Sequence, residues 1–146
     1  MTRSIEREIQ VEAAPEVVYE VITSPEHLRE WWPDEADLEA EAGATGTVSF
    51  GSAPDTKVAT LTVVEAEPPK RFAFRWGYDG DVATADNSLL VTFDLIPSGD
   101  GTVLRFAETG WDEAGKPDEM YQDHFQGWSY FLPRLAPYAE RLASRP

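Results

Sequence analysis

The sequence contains no cysteine among its 146 residues, and His27 and His124 are its only histidines. The absence of cysteine excludes disulfides, thiolate metal ligands and cysteine nucleophiles. Two imidazoles without a thiol do not suit a structural zinc site, and the acidic residues do not follow the spacing of a calcium loop. No phosphate-binding or dinucleotide-binding motif is found. We therefore expect no metal and no cofactor.

Basic residues are also scarce, with 12 Lys and Arg against 27 Asp and Glu, which gives a net charge of -15. That charge repels phosphate backbones and anionic lipid surfaces, so we expect neither a nucleic-acid nor a membrane partner. The acids are scattered along most of the chain. This distribution favours a role in solubility over a cation site.

Long apolar runs are absent as well, since no stretch approaches the roughly 20 residues of a membrane span. The first six residues lack the apolar segment of a secretion signal, so we expect a cytoplasmic protein. The chain does contain 42% hydrophobic and 12% aromatic residues, enough to bury a core. Its length suits one domain and is short for two, so residues 1–146 are predicted to form a single domain.

The beginning of the chain predicts one strand and two short helices. Apolar and polar residues alternate over 5–11, as in a strand with one solvated face. Pro15 and Pro25 each suit the first turn of a helix, and Ser24 is expected to cap the second one. Pro33 is expected to end that second helix.

The rest of the chain predicts six further strands and one long helix. Turn signals rich in Gly, Pro and Asp separate segments of period two, and the short connections imply an antiparallel order. Apolar residues then recur every three or four positions, which predicts a helix over 118–143 with Asp118 as its cap. Pro133 and Pro137 are expected to bend or break it. The predicted strands cover residues 36–41, 47–51, 57–67, 71–76, 87–96 and 102–109.

This order of elements resembles the helix-grip arrangement of the START-like (SRPBCC) superfamily. The paired tryptophans and a Gly-Trp pair resemble one branch, named for the activator of heat-shock protein 90 ATPase. The resemblance implies an α+β fold in which a curved antiparallel sheet of about seven strands wraps around the C-terminal helix. The matching segments are APEVVY at 14–19, ITSPE at 22–26, WW at 31–32, VEAEPPKRF at 64–72, GTVLRF at 101–106 and HFQGW at 124–128.

The resemblance leaves three functions open, because members of the superfamily bind small apolar ligands, assist a chaperone or cyclise polyketides. Our first hypothesis is binding of a small hydrophobic or aromatic molecule in a cavity between the sheet and the long helix. The second is an interaction protein similar to the chaperone activator, for which the cue would be an exposed apolar patch. The third is a polyketide cyclase-like enzyme that uses His124 and Glu108. A chaperone or a second copy of the chain is accordingly a candidate partner. We favour a protein that is not an enzyme and assign no catalytic residue.

One segment departs from the branch, in which the last strand often ends in a histidine before a glycine loop. Here that segment reads Glu108-Thr109-Gly110. A carboxylate replaces the imidazole, so chemistry that rests on that histidine does not carry over.

Sequence parity selects the residues that would face the long helix under this arrangement. Large aromatic rings with a few placed polar groups suit a ligand pocket. The simpler interpretation of the phenylalanines is core packing, since such residues are mostly buried in any case. The predicted ligand-binding residues are Trp31, Trp32, Phe74, Trp76, Phe93, Phe106, Glu108, His124 and Trp128.

Burial and charge pairing further constrain four of these residues. Trp31 and Trp32 adjoin on a short helix, so we expect that at most one of them is fully buried and that one lies at the mouth of the cavity. A buried Glu108 needs a partner, which His124 or Arg75 could supply, although Arg75 has the parity of the opposite face. His124 itself could be a general acid–base group, a hydrogen-bond partner of a ligand or a core histidine satisfied by a neighbour.

Overall fold

The computed structural model describes residues 3–51, 56–77 and 87–144. These residues form seven strands and three helices. In chain order they are β1 (Ile5–Val11), α1 (Pro15–Thr23), α2 (Pro25–Trp31), β2 (Glu35–Asp37), β3 (Thr45–Phe50), β4 (Lys57–Glu67), β5 (Arg71–Gly77), β6 (Leu90–Ser98), β7 (Gly101–Thr109) and α3 (Asp118–Ala143).

All seven strands belong to one antiparallel sheet, in the order β1-β7-β6-β5-β4-β3-β2. Strands β2 to β7 follow one another as a meander, and β1 closes the other edge by pairing with β7. The register places Phe72, Phe93 and Phe106 side by side across β5, β6 and β7. The predicted α+β helix-grip fold is confirmed.

The long helix α3 lies closest to β1 and to the two short helices. Its buried residues are Trp128, Leu132, Leu135 and Ala139, which recur at helical spacing and form the face directed at the core. None of the helices in the described ranges combines the length and hydrophobicity needed to cross a bilayer.

Pro133 and Pro137 were expected to bend or break α3. The structure shows that they do not break it, because α3 continues through both to Ala143. Both prolines lie on the exposed side of the helix. The carbonyl groups that lose their helical donors are those of Ser129 and Pro133, and both residues are exposed. Water can therefore satisfy these groups, which lowers the cost of each proline.

Several predicted boundaries also need correction. Strand β2 ends at Asp37 instead of residue 41, because the chain turns there and the Glu41 and Ala44 N–H groups bond to the Glu39 and Glu41 carbonyls. Strand β6 begins at residue 90 instead of 87. The cap of α3 is Pro117, and the predicted cap Asp118 is the first helical residue.

Candidate functional site

Glu108 lies near the end of β7 and is completely buried. Its Oε2 accepts a hydrogen bond of 2.8 Å from Nε1 of Trp76, and its Oε1 accepts one of 3.1 Å from Nε1 of Trp128. Nδ1 of His124 lies 2.9 Å from the same Oε1. An indole nitrogen can only donate, so both carboxyl oxygens already act as acceptors. This favours an ionised Glu108 to which Nδ1–H of His124 donates a third bond.

Three elements bring these four side chains together. The alternation of β5 directs Trp76 toward the core, and the alternation of β7 does the same for Glu108. On α3, His124 and Trp128 are one turn apart and therefore share a face. The carboxylate thus joins the long helix to two strands of the sheet.

The imidazole of His124 sits among aromatic rings at the edge of the core. It meets the rings of Trp76 and Trp111 edge to face, with centroid separations of 6.4 and 5.1 Å. About a quarter of its side chain, 24%, stays exposed. Within the described residues, Nε2 makes no hydrogen bond. A carboxylate that holds Nδ1–H fixes the tautomer of a neutral histidine and leaves a lone pair on Nε2.

Trp111 also belongs to this group, although it was not among the site residues predicted from the sequence. It is fully buried, and its indole N–H donates to the backbone carbonyl of Glu108 at 3.2 Å. Gly110 has a φ of 96°, and a Cβ there would lie 3.2 Å from the Ser88 carbonyl oxygen. A glycine therefore suits this close turn, which directs the next residue into the core. A large ring directly after a glycine, in an otherwise polar loop, was the available signal.

Trp31 is fully buried and Trp32 keeps 7% of its surface exposed, so the two are not both fully buried, as expected, while a position of either at a cavity mouth stays a prediction. Trp31 ends α2 and directs its indole N–H to the carbonyl of Val21 at 2.9 Å. Trp32 is the C-cap of α2, and its backbone is not helical (φ -124°, ψ -97°). Its ring therefore points toward Trp76 and Trp128. Its centroid lies 5.2 Å from that of Trp128 and 5.7 Å from that of Trp76. A change of backbone conformation thus lets neighbouring residues enter different parts of the core.

The remaining predicted site residues lie in the same core and are buried. Phe74 meets Trp76 at 5.1 Å and Trp32 at 6.0 Å between ring centroids. Phe106 meets Trp128 at 4.6 Å and Phe93 at 5.4 Å. The structure therefore brings the nine predicted residues together, while their role in ligand binding stays a prediction.

Arg75 is not the partner of Glu108. This agrees with its parity, which places it on the opposite face of the sheet. Its guanidinium donates to the carbonyl of Ser88 at 3.3 Å. Of the two candidate partners considered from the sequence, the structure selects His124.

A run of ring contacts leads from solvent to this core between β3 and α3. Tyr130 is 64% exposed and meets Phe131 at 5.0 Å, and Phe131 meets Phe50 at 5.9 Å. Phe50 in turn meets Trp32 at 6.1 Å. We call Tyr130, Phe131, Phe50 and Trp32 the aromatic file. It forms a continuous apolar path from the surface to the tryptophans that bond to Glu108.

A separate open groove of about 480 Å³ lies along strands β1, β6 and β7, and its lining is largely charged. Three of its charged residues are in ion pairs, since Arg105 bonds to Glu8 at 3.2 Å and Asp94 bonds to Arg71 at 2.5 Å. In the described part of the chain, no three His, Asp or Glu side chains are placed to hold a metal ion.

Comparison with known proteins decides the family. The family model described as Activator of Hsp90 ATPase homolog 1-like protein matches residues 12–140. The chain belongs to this family. A comparison with curated protein sequences finds no match.

Several solved structures share the fold of this family member. Protein MLL2253 from Mesorhizobium loti is 26% identical, with a TM-score of 0.77 over 95% of this chain and 98% of that one. DynU16, from the dynemicin biosynthetic locus, is 25% identical, with a TM-score of 0.76 over 98% of this chain and 49% of that one. The Aha1 dimer from Colwellia psychrerythraea is 22% identical, with a TM-score of 0.75 over 94% and 96%. The resemblance found in the sequence is confirmed.

The resemblance to the activator family implied a histidine at the end of the last strand. In this chain Glu108 occupies that position. The structure supplies an imidazole from another element, because His124 of α3 bonds directly to Glu108. Carboxylate and imidazole therefore stand side by side at this position.

Proposed function

We propose that the protein binds a small hydrophobic or aromatic molecule between α3 and the sheet, and that the molecule enters between β3 and α3. The observation that carries this proposal is the aromatic file, which ends at the tryptophans around Glu108. Binding sites for small molecules combine apolar and aromatic walls with a few polar groups that fix orientation. The aromatic file supplies the apolar walls, and the Glu108–His124 pair supplies the polar groups.

Binding at this position requires some rings to move, because the side chains around Trp32 pack against one another. Trp32 and Trp76 each keep 7% of their surface exposed, and Phe50 and Phe131 are half-buried. Displacing the half-buried Phe50 and Phe131 exposes less apolar area than displacing the fully buried Phe74, so it costs less free energy. A ligand would therefore select conformations in which the outer rings of the core have opened.

The test is a titration of tryptophan fluorescence with a panel of neutral aromatic molecules, on wild type and two variants of α3. Phe131→Asp places a carboxylate in the aromatic file. Phe125→Asp makes the same change at a half-exposed ring that contacts Tyr121 and Arg7 instead of the file. We expect Phe131→Asp to weaken binding about tenfold or more, because an apolar ligand would have to desolvate the new charge. Phe125→Asp should leave the affinity unchanged.

Two results would count against the proposal. If no member of the panel shifts emission or Tm, the interaction hypothesis gains over the binding hypothesis. If both variants weaken binding equally, the ligand does not enter through the aromatic file. Native mass spectrometry of the purified protein would detect a co-purified ligand, and it would also report a homodimer like that of the Colwellia psychrerythraea protein.

The family name suggests a chaperone-associated interaction as the second function. Its expected cue is a contiguous apolar patch, and the exposed rings of α3 do not form one. Phe125 and Tyr130 lie on different sides of the helix because they are five positions apart. A guanidinium carbon lies over one face of each ring, at 4.7 Å for Arg7 on Phe125 and 5.5 Å for Arg134 on Tyr130. These observations rank ligand binding first.

A further inference from the structure

We infer that the ligand site selects neutral aromatic molecules that carry a hydroxyl group, and that Nε2 of His124 accepts the hydrogen bond from that hydroxyl. The inference rests on the proposed function and names the class of ligand. Phenols and naphthols are the simplest molecules of this class.

The donors around Glu108 decide which atom of His124 is available. The indole N–H groups of Trp76 and Trp128 occupy one acceptor position on each carboxyl oxygen, at 2.8 and 3.1 Å. Neither indole can reverse its role, and we assign the third bond to Nδ1–H of His124 as the donor and Oε1 of Glu108 as the acceptor. The proton of a neutral imidazole then sits on Nδ1. Nε2 is left as an acceptor, and an acceptor binds hydroxyl donors rather than ethers or ketones.

The position of the imidazole explains why the donor should belong to an aromatic molecule. Trp76 meets the imidazole edge to face and also meets Trp32, the inner end of the aromatic file. A flat molecule that enters along the file to Trp32 therefore reaches Trp76 and the imidazole next. A molecule without rings would lose the contact with Trp32 and Trp76 that offsets the cost of moving them.

Electrostatics explains why the hydroxyl should be neutral. Glu108 is a buried negative charge 2.9 Å from the imidazole, and the chain carries a net charge of -15. A ligand carboxylate at Nε2 would meet repulsion from both, and burial strengthens the repulsion from Glu108. A phenolic hydroxyl offers its proton without that repulsion.

Calorimetric titration with naphthol, methoxynaphthalene and naphthoate tests the inference, because the three differ only in the polar group. One net hydrogen bond predicts that naphthol binds about fivefold more tightly than methoxynaphthalene, with naphthoate weaker than naphthol. His124→Phe should remove the preference for naphthol. The matched control is His27→Phe, since His27 bonds to Tyr138 at 2.7 Å and does not contact Glu108. It should keep the preference.

A second measurement applies to the wild type and does not depend on whether the variant folds. The NMR nitrogen shift of Nε2 in His124 should move when naphthol binds and stay nearly constant with methoxynaphthalene. If both ligands bind equally tightly and Nε2 does not respond, the proposed function stands and this inference is overturned. Tighter binding of naphthoate than of naphthol would also overturn it. If none of the three binds, the proposed function fails as well.

Discussion

Glu108 and His124 meet at 2.9 Å between Oε1 and Nδ1, although one belongs to the last strand and the other to the closing helix. The carboxylate has no contact with solvent, whereas about a quarter of the histidine side chain does. The pair therefore connects the interior of the core to its surface. A buried carboxylate is stable only where donors surround it, and here they come from β5 and α3.

The first prediction concerns the contribution of Glu108 to stability. Glu108→Ala should lower the free energy of unfolding by about 3–5 kcal/mol, because it leaves buried donors of Trp76 and Trp128 and the ring of His124 without their acceptor. Equilibrium unfolding in denaturant measures the change. Glu8→Ala is the matched control, because Glu8 pairs with Arg105 at an exposed site and should cost at most about 1 kcal/mol. Equal effects of the two variants would contradict the structural role of Glu108.

The second prediction separates the two faces of α3. Trp128 is 4% exposed and Phe125 is 39% exposed. Trp128→Ala should cost roughly 3–5 kcal/mol, the usual range for a large ring removed from a core. Phe125→Ala should cost about 1 kcal/mol or less, since it removes mainly a surface contact with Arg7. A cost below about 1 kcal/mol for Trp128→Ala would instead show that Trp128 lines an open space.

The third prediction concerns acid. Bonds from the backbone N–H and the guanidinium of Arg3 lower the pKa of Asp112 below its ordinary value. A carboxyl with a lowered pKa stabilises the fold above its unfolded pKa, and this contribution is lost as the pH falls through the folded pKa. Wild type should therefore be more stable than Asp112→Asn at neutral pH. The difference should shrink as the pH falls below about 4, the ordinary aspartate range, and vanish only below the lowered pKa that Asp112 has in the folded protein.

Thermal unfolding of wild type and Asp112→Asn across this pH range would test the sign. The matched control is Glu113→Gln, which removes one negative charge at the neighbouring exposed position without removing a bond to Arg3. Its stability at neutral pH should lie closer to that of wild type than the stability of Asp112→Asn does. A difference between wild type and Asp112→Asn that grows as the pH falls would contradict the prediction.

The fourth prediction concerns nucleic acids. We expect no measurable binding to duplex DNA at physiological salt, because the net charge of -15 opposes approach to the phosphates. A gel-shift assay at several salt concentrations checks this. Salt-sensitive retardation of the DNA by the purified protein would show that the prediction is wrong.

The family resemblance implied that the closing helix packs on the sheet, and strand parity then predicted which side chains face it. Alternation along β5 and β7 placed Trp76 and Glu108 on the inner face, and helical spacing placed His124 and Trp128 opposite them. The structure confirms that these four residues meet. Parity works here because a shift of one residue would expose every ring on these strands to water.

Other parts of the site depend on local backbone that periodicity does not describe. Trp32 lies beyond the end of α2, so its direction is set by the backbone of a cap rather than by helical spacing. Trp111 lies in a loop and enters the core through the turn at Gly110. The position of Phe50 beside Phe131 depends on how far the sheet curves toward α3, which follows from the packing of the whole domain.

The most direct test of ligand binding between α3 and the sheet uses the tryptophan side chains as reporters. Nitrogen-labelled protein is titrated with naphthol while the indole N–H signals are followed by heteronuclear NMR. Trp32, Trp76 and Trp128 should shift, because they surround the inner end of the aromatic file. Trp31 should stay nearly constant, because its N–H is bonded to the Val21 carbonyl and its ring is fully buried. Unchanged signals from the first three tryptophans at saturating naphthol, or a shift confined to Trp31, would contradict the proposed site.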